Sequence, residues 1–210
     1  MLFRSGISVH RPRQIHSAIV LPASQATADP WPEADGLVSE TGGQSLWVCG
    51  ADCTPVLLAD PVSGRVAACH AGWRGVAGRI LPEAISLMEQ LGSRRDDLLV
   101  ALGPAVSGAQ YQVERGVSLQ VAAALAPGQT GQPSALNDLF ACGALLPDAE
   151  PERDRLDIRA ATAAQLVNEG ISRDRISVCP LCTVSSPSLF HSWRRDQVKA
   201  VQWSTIVAQA

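Results

Sequence analysis

Short, densely apolar runs alternate with longer amphipathic ones along this chain. Leu46–Cys49, Pro55–Leu58, Val66–Cys69, Leu98–Leu102 and Ile176–Val178 are bounded by Gly, Asp or Pro, the pattern of buried strands closed by turns. Val76–Leu91 instead carries apolar residues at 76, 80, 81, 84, 85, 87, 88 and 91 and stops at Gly92. That period, close to 3.6 residues, predicts one amphipathic helix. Val117–Leu125 and Ile158–Val167 read as two further helices, the second closed by Glu169-Gly170 as a C-cap. The Pro/Gly/Ser/Asp-rich stretches at 22–36, 127–134 and 147–153 read as long surface loops. Strands interleaved with helices predict a mixed α/β or α+β domain with helices packed on sheet faces.

Composition narrows the class. With 210 residues, 46% hydrophobic and 18% charged, the chain suffices for one sizeable core. A net charge of −3 offers no overall positive field for a phosphate backbone, so nucleic acid is not an expected partner. No run approaches the ~20 apolar residues of a membrane span. The opening MLFRSGISVHRPRQIH lacks a continuous apolar segment and a small-residue cleavage site, so a soluble, cytoplasmic protein is expected. In that compartment the cysteines at 49, 53, 69, 142, 179 and 182 are expected to be thiols or ligands, not a disulfide framework.

The densest chemistry lies in Ala51–Pro61 and Gly64–Gly75. If the two strands there pair, Cys53 and His70 stand at their ends, beside loops where sites are built. Alone, each is most simply a small buried thiol or a core histidine. His16, in Arg13-Gln14-Ile15-His16-Ser17, changes the weighing, because two imidazoles and a thiolate suit zinc and leave a fourth position open, as catalytic zinc requires. After His70, Gly72 and Gly75 permit a tight turn, and helix-start N–H groups with Arg74 could hold an anion. An ordinary strand–turn–helix anchored by Trp73 explains the same residues equally well. Cys179-Pro-Leu-Cys182 is a CxxC with no second CxxC to complete a four-cysteine zinc site. It is read as two separate roles, Cys179 ending a strand and Cys182 near a pocket. Arg194 and Arg195 are either a solvated pair or an anion contact.

At these residues the sequence resembles the YfiH/DUF152 family, also called the laccase-domain, multicopper polyphenol oxidase or peptidoglycan editing factor family. The resemblance runs through QIHS (Gln14–Ser17), EADGLVS (Glu33–Ser39), ADCTPVLLADP (Ala51–Pro61), HAGWRG (His70–Gly75), LGPAV (Leu102–Val106), LDI (Leu156–Ile158), AQL (Ala164–Leu166), CT (Cys182–Thr183) and SWRRD (Ser192–Asp196). It implies one YfiH-like domain over residues 1–210, N-terminally short relative to the family, with mixed sheets in a sandwich-like core flanked by helices. It also implies a mononuclear zinc held by His16, Cys53 and His70, with copper disfavoured. His10, His16, His70 and His191, the 4 histidines present, are too few for several histidine-rich copper sites. Two departures stand out. Ser107–Val113 reads SGAQYQV where the family commonly has GPCCYEV, and Thr162 stands where Asn is common.

The activity implied by the resemblance is phosphorolysis of purine nucleosides (adenosine, inosine, guanosine, methylthioadenosine), with adenosine deamination beside it. Expected partners are thus a small nucleoside and phosphate. Cys53, His70, Arg74 and Asp52 are the candidate catalytic residues, Asp52 orienting a ligand or shuttling a proton. Arg74, Gly72, Arg194, Arg195 and Cys182 are the candidate substrate contacts. Two rivals use the same residues: a metal-free cysteine hydrolase or amidase of peptidoglycan-precursor editing, with Cys53 as nucleophile and His70 as base, and a zinc- and anion-binding module without catalysis.

Overall fold

The computed structural model describes residues 6–125 and 132–209. Among them the strands are β1 (Ser8–His10), β2 (Val20–Pro22), β3 (Gly36–Val38), β4 (Gln44–Gly50), β5 (Thr54–Ala59), β6 (Val66–Ala71), β7 (Leu99–Leu102), β8 (Gln112–Glu114), β9 (Leu145–Pro147), β10 (Arg153–Leu156), β11 (Ile176–Val178) and β12 (Gln202–Val207). The helices are α1 (Trp73–Ala77), α2 (Ile80–Gln90), α3 (Arg115–Leu125), α4 (Gln132–Ala141), α5 (Ile158–Asn168) and α6 (Trp193–Asp196). All five expected strands are present within a residue or two. Of the loops, 22–36 also holds the end of β2 and the start of β3, and 147–153 links β9 to β10. Residues 127–131 of the third lie outside the described residues, and 132–134 open α4.

A six-stranded mixed sheet, ordered β11-β7-β5-β6-β3-β2, forms the centre. β5 and β6 are long, antiparallel and central, with Thr54 opposite Ala71 and Pro55 opposite His70. Period-two alternation divides their side chains between two cores. Val56, Leu58, Ala67, Cys69 and Ala71 face the helical layer with Ile80, Leu81, Ile85 and Met88 of α2. Leu57, Ala59, Val66 and Ala68 face the other way, onto Leu46 and Val48 of β4, in the three-stranded sheet β1-β4-β12. A sheet is thus sandwiched between helices and a second sheet, because both of its faces are apolar. Each fully buried Leu or Ile of α2 contributes about 1.5–3 kcal/mol by leaving water.

The expected helix Val76–Leu91 is two helices. The chain breaks at Gly78-Arg79, where Arg79 takes a left-handed conformation at φ 66°. Its guanidinium donates to the Ala124 carbonyl (2.8 Å) and to Glu169 (2.6 Å), holding α1 against α3 and α5. The apolar period runs through the break, so local spacing gave no sign of it.

The β5–β6 turn rests on Asp60, which is 2% exposed. Its carboxylate accepts the Val62 N–H (2.9 Å), the Ser63 N–H (3.2 Å) and the Ser63 hydroxyl (2.6 Å). Burial pushes its pKa up, but these donors and the Ser93 hydroxyl outweigh burial and hold it below its ordinary value. A depressed folded pKa gives stability that is complete above the unfolded value of about 3.9 and disappears as pH falls below it. Asp60→Asn is therefore expected to lose about 1–3 kcal/mol at neutral pH, with the gap from the parent narrowing as pH falls below about 3.9. Urea unfolding at pH 7 and pH 3 measures it; an equal gap at both would contradict the assignment.

Candidate metal centre

The alternation that sends Cys69 into the helical core turns its neighbour His70 to the opposite face, at the end of β6. Cys69 is accordingly sealed, its thiol pushed up to about 12 by burial and by the Asp35 charge. Cys53 immediately precedes β5, diagonally across from His70. Gly72 lies against this thiol: a Cβ there would stand 2.8 Å from Cys53 Sγ. Gly72 thus serves close approach to Cys53. The helix that follows it has only 5 residues, which leaves the expected helix-start anion cradle without a proper helix.

His16 arrives from a different part of the chain, and Asp35 brings it there. The Asp35 carboxylate, 0% exposed, accepts the N–H groups of Ile15 (3.1 Å), His16 (3.0 Å) and Ser17 (2.6 Å) and the Ser17 hydroxyl (2.8 Å). Wrapping three successive amides around one carboxylate sets His16 at φ 59°. The side-chain amide of Gln14 pins the same segment to Cys49, donating to its carbonyl (2.7 Å) and accepting its N–H (2.8 Å). Asp35 also accepts His70 Nδ1–H at 2.9 Å, so Nε2 is the nitrogen of that ring left to ligate a metal. The result is that one donor atom each from His16, Cys53 and His70 lies within 4.8 Å of the others.

The protonation states follow from this geometry. Burial raises the Asp35 pKa, but the His70 hydrogen bond and the donors of Ser17 and Ile15 win and take it to about 2. Burial likewise raises Cys53, while hydrogen bonds and charge from His16 and His70 bring it down to about 7. His70 is lowered by burial and raised more strongly by Asp35 and Cys53, to about 9. A thiolate and two imidazoles oriented by a buried carboxylate are the donor set of a zinc site, so the residues present fit that ion. Copper chemistry of the laccase type fits less well: among the described residues this is the one such trio, and both His10 nitrogens are engaged, by Ser8 Oγ and the Ala23 carbonyl.

The trio lies in a cleft of about 540 Å³ also lined by Trp73, Arg74, Tyr111, Trp193 and Arg194. Arg74 stacks on Trp73 at 4.4 Å and Arg194 on Tyr111 at 4.8 Å, geometry that favours cation–π attraction. Tyr111 is pushed up to about 12 by burial and by the Cys53 charge, so its hydroxyl stays protonated. Asp52 also lines the cleft, at a φ of 97°, a conformation costing about 1–3 kcal/mol.

Two other expected contacts lie elsewhere. Arg195 donates to the carbonyls of Thr183, Val184 and Phe190 and pairs with Asp196; it braces a loop and is not among the cleft-lining residues. Cys182 is buried and accepts the Ser107 N–H and hydroxyl, both at 3.3 Å. Burial raises its pKa and the Ser107 and Ser185 donors lower it further, to about 7. It too is absent from the cleft lining. A groove of equal volume, about 540 Å³, runs along α5 past Cys179 but holds no such donor trio. Asp35 was missed as a site residue; its one sequence signal was its place inside EADGLVS.

These features define a class: a mixed α/β protein with a three-donor His/Cys/His centre at the end of its central sheet, facing a cationic and aromatic cleft. The chain belongs to the family described as multi-copper polyphenol oxidoreductase laccase, which it matches over residues 3–209. It is 42% identical over 211 residues to a Synechocystis protein named purine nucleoside phosphorylase slr1573, covering 94% of this chain and 79% of the relative. It is 34% identical over 171 residues to purine nucleoside phosphorylase YlmD of Bacillus subtilis, covering 79% of this chain and 55% of that one. Among solved structures, YlmD from Geobacillus stearothermophilus superposes with a TM-score of 0.82 at 26% identity, over 96% of this chain and 74% of that one. The Neisseria meningitidis protein NMB0706, of DUF152, gives 0.79 at 28% identity, over 98% and 76%. No helix among the described residues is long and apolar enough to cross a membrane.

Proposed function

We propose that this chain is a zinc-dependent purine nucleoside phosphorylase acting on adenosine, inosine, guanosine and methylthioadenosine, with adenosine deamination as a second activity of the same cleft. The observation that carries the reading is the convergence of His16, Cys53 and His70 within 4.8 Å in a cleft that also exposes two guanidinium groups. Relatives at 42% and 34% identity named as purine nucleoside phosphorylases support it. His16, Cys53 and His70 would hold the ion, which when bound supplies Lewis-acid polarisation of an oxygen. Arg74 and Arg194 supply fixed positive charge for phosphate, held in place by their aromatic partners. Trp73 and Tyr111 give the base apolar surface. In phosphorolysis a phosphate oxygen bonds to the ribose C1′ as the bond from C1′ to the purine nitrogen breaks. The base leaves with that electron pair and takes up a proton.

The metal-free hydrolase remains a rival because the depressed Cys53 thiol beside His70 is also the signature of an activated nucleophile. Chromatography of a nucleoside panel incubated with and without phosphate tests the proposal. Free base is expected only with phosphate, and inosine from adenosine in either condition. Base release independent of phosphate, or no product at all, overturns the phosphorylase assignment. Activity that survives a chelator but is abolished by thiol alkylation selects the hydrolase instead.

A further inference from the structure

We infer that Asp52 is a positioning residue: it clasps the wall of the cleft and sets Arg194 where an anion docks. This rests on the phosphorylase reading for the identity of the anion, though not for the clasp itself. Asp52 is 8% exposed, and each of its acceptor groups is engaged by a different segment. One carboxylate oxygen accepts the Thr183 hydroxyl at 2.6 Å, and the other accepts the Arg194 backbone N–H at 2.7 Å. Its carbonyl accepts the Val106 N–H at 3.0 Å. These partners come from the loops after β7 and β11 and from the first turn of α6, and they over-determine the left-handed backbone at Asp52.

The wall so attached contains Trp193, Arg194, Val198, Lys199, Ala200 and Val201, all lining the cleft. α6 has only 4 residues and too few internal hydrogen bonds to hold its own position. Its first turn is capped by the Ser192 hydroxyl, which accepts the Arg195 N–H at 3.2 Å, and from outside by Asp52. With the backbone of Arg194 fixed in this way, its side chain spans Tyr111 at 4.8 Å and donates to the Gln112 carbonyl at 3.2 Å. Since Thr183 and Arg194 engage both carboxylate oxygens, Asp52 is poorly placed to shuttle a proton.

The chain carries its own reporter of this clasp. Lys199, the only lysine in the sequence, sits in the wall, so an endoproteinase specific for lysine has one internal site to cut. In Asp52→Ala the wall is expected to open locally, raising the cleavage rate about tenfold or more. Asp52→Asn keeps an acceptor for the Arg194 N–H and a donor for Thr183 Oγ1, so its cleavage rate should stay near the parent's. Kinetically, Asp52→Ala should raise KM for inorganic phosphate about tenfold with a much smaller change in kcat. Asp52→Asn should restore KM to near the parent's. Arg194→Ala should reproduce the KM change without added cleavage at Lys199, and the double variant Asp52→Ala/Arg194→Ala should be no worse in KM than either single.

A proton shuttle predicts the opposite: equal losses of kcat in Asp52→Asn and Asp52→Ala, with KM unmoved. That result, or an uncut Lys199 in Asp52→Ala, overturns the clasp. If the parent protein shows no phosphorolysis, the function falls separately. Lysine-specific cleavage, with calorimetric titration of inorganic phosphate into the parent and Asp52→Ala, then decides the clasp.

Discussion

Cys53→Ala is expected to purify without zinc, against about one ion per chain in the parent. The thiolate is the anionic donor of the trio, and its removal leaves only the two imidazole side chains, of which His16 is exposed. The loss should exceed the 10–100-fold that follows from removing an outer partner of a ligand. The fold should survive, because Cys53 lies at the mouth of β5 and outside both apolar cores. Metal analysis after dialysis, with circular dichroism as the control for folding, checks this. Full zinc retention in a folded variant would remove the thiolate from the site and return Cys53 to the role of a nucleophile.

Asp35 produces the second large effect, on both metal and fold. Asp35→Ala strands the Ile15, His16 and Ser17 amides, the Ser17 hydroxyl and His70 Nδ1–H, all of which the carboxylate now accepts. Leaving a buried, paired group without its partner costs about 3–5 kcal/mol, so a large drop in thermal stability is expected. Asp35→Asn separates the two consequences. Its amide fills the same space and keeps one acceptor oxygen, so the stability loss should be nearer 1–3 kcal/mol. Without a carboxylate on Nδ1, however, the His70 ring is free to carry its proton on Nε2, the nitrogen needed for a metal. Zinc affinity should fall about 10–100-fold. Thermal melts with chelator-competition titrations measure both quantities, and parental zinc affinity in Asp35→Asn would show that the carboxylate does not govern the imidazole.

The candidate ligands were legible in the sequence because their chemistry is carried by residue type. Two imidazoles and a thiol narrow the choices before any coordinate is known, since few residue types can ligate a soft metal. β5 and β6 were legible as continuous apolar runs closed by turn residues, because both of their faces are buried, and α2 because its burial recurs with a helical period that survives in one dimension. The strands β1, β2, β3, β8 and β9 have 3 residues each, too few for a period to declare itself; β11, equally short, was legible only from its apolar ends and the proline that follows. Arg194 and Arg195 show the limit most plainly. They are adjacent and chemically identical, yet one lines the cleft and the other braces a loop, since successive residues of the helical turn α6 point in different directions.

Residue type and periodicity by themselves determined that strands and helices interleave in a mixed α/β chain, and they marked His16, Cys53 and His70 as candidate donors. Tertiary structure alone decided that Asp35 aims two histidines at one point, that Asp52 holds a wall in place, and that the long amphipathic run breaks at Arg79. The physical reason is common to all three. A buried carboxylate, or a half-buried guanidinium such as that of Arg79, takes its role from the donors and acceptors that surround it. Those groups come from segments far apart in the chain, brought together only once the sheets and helices have packed.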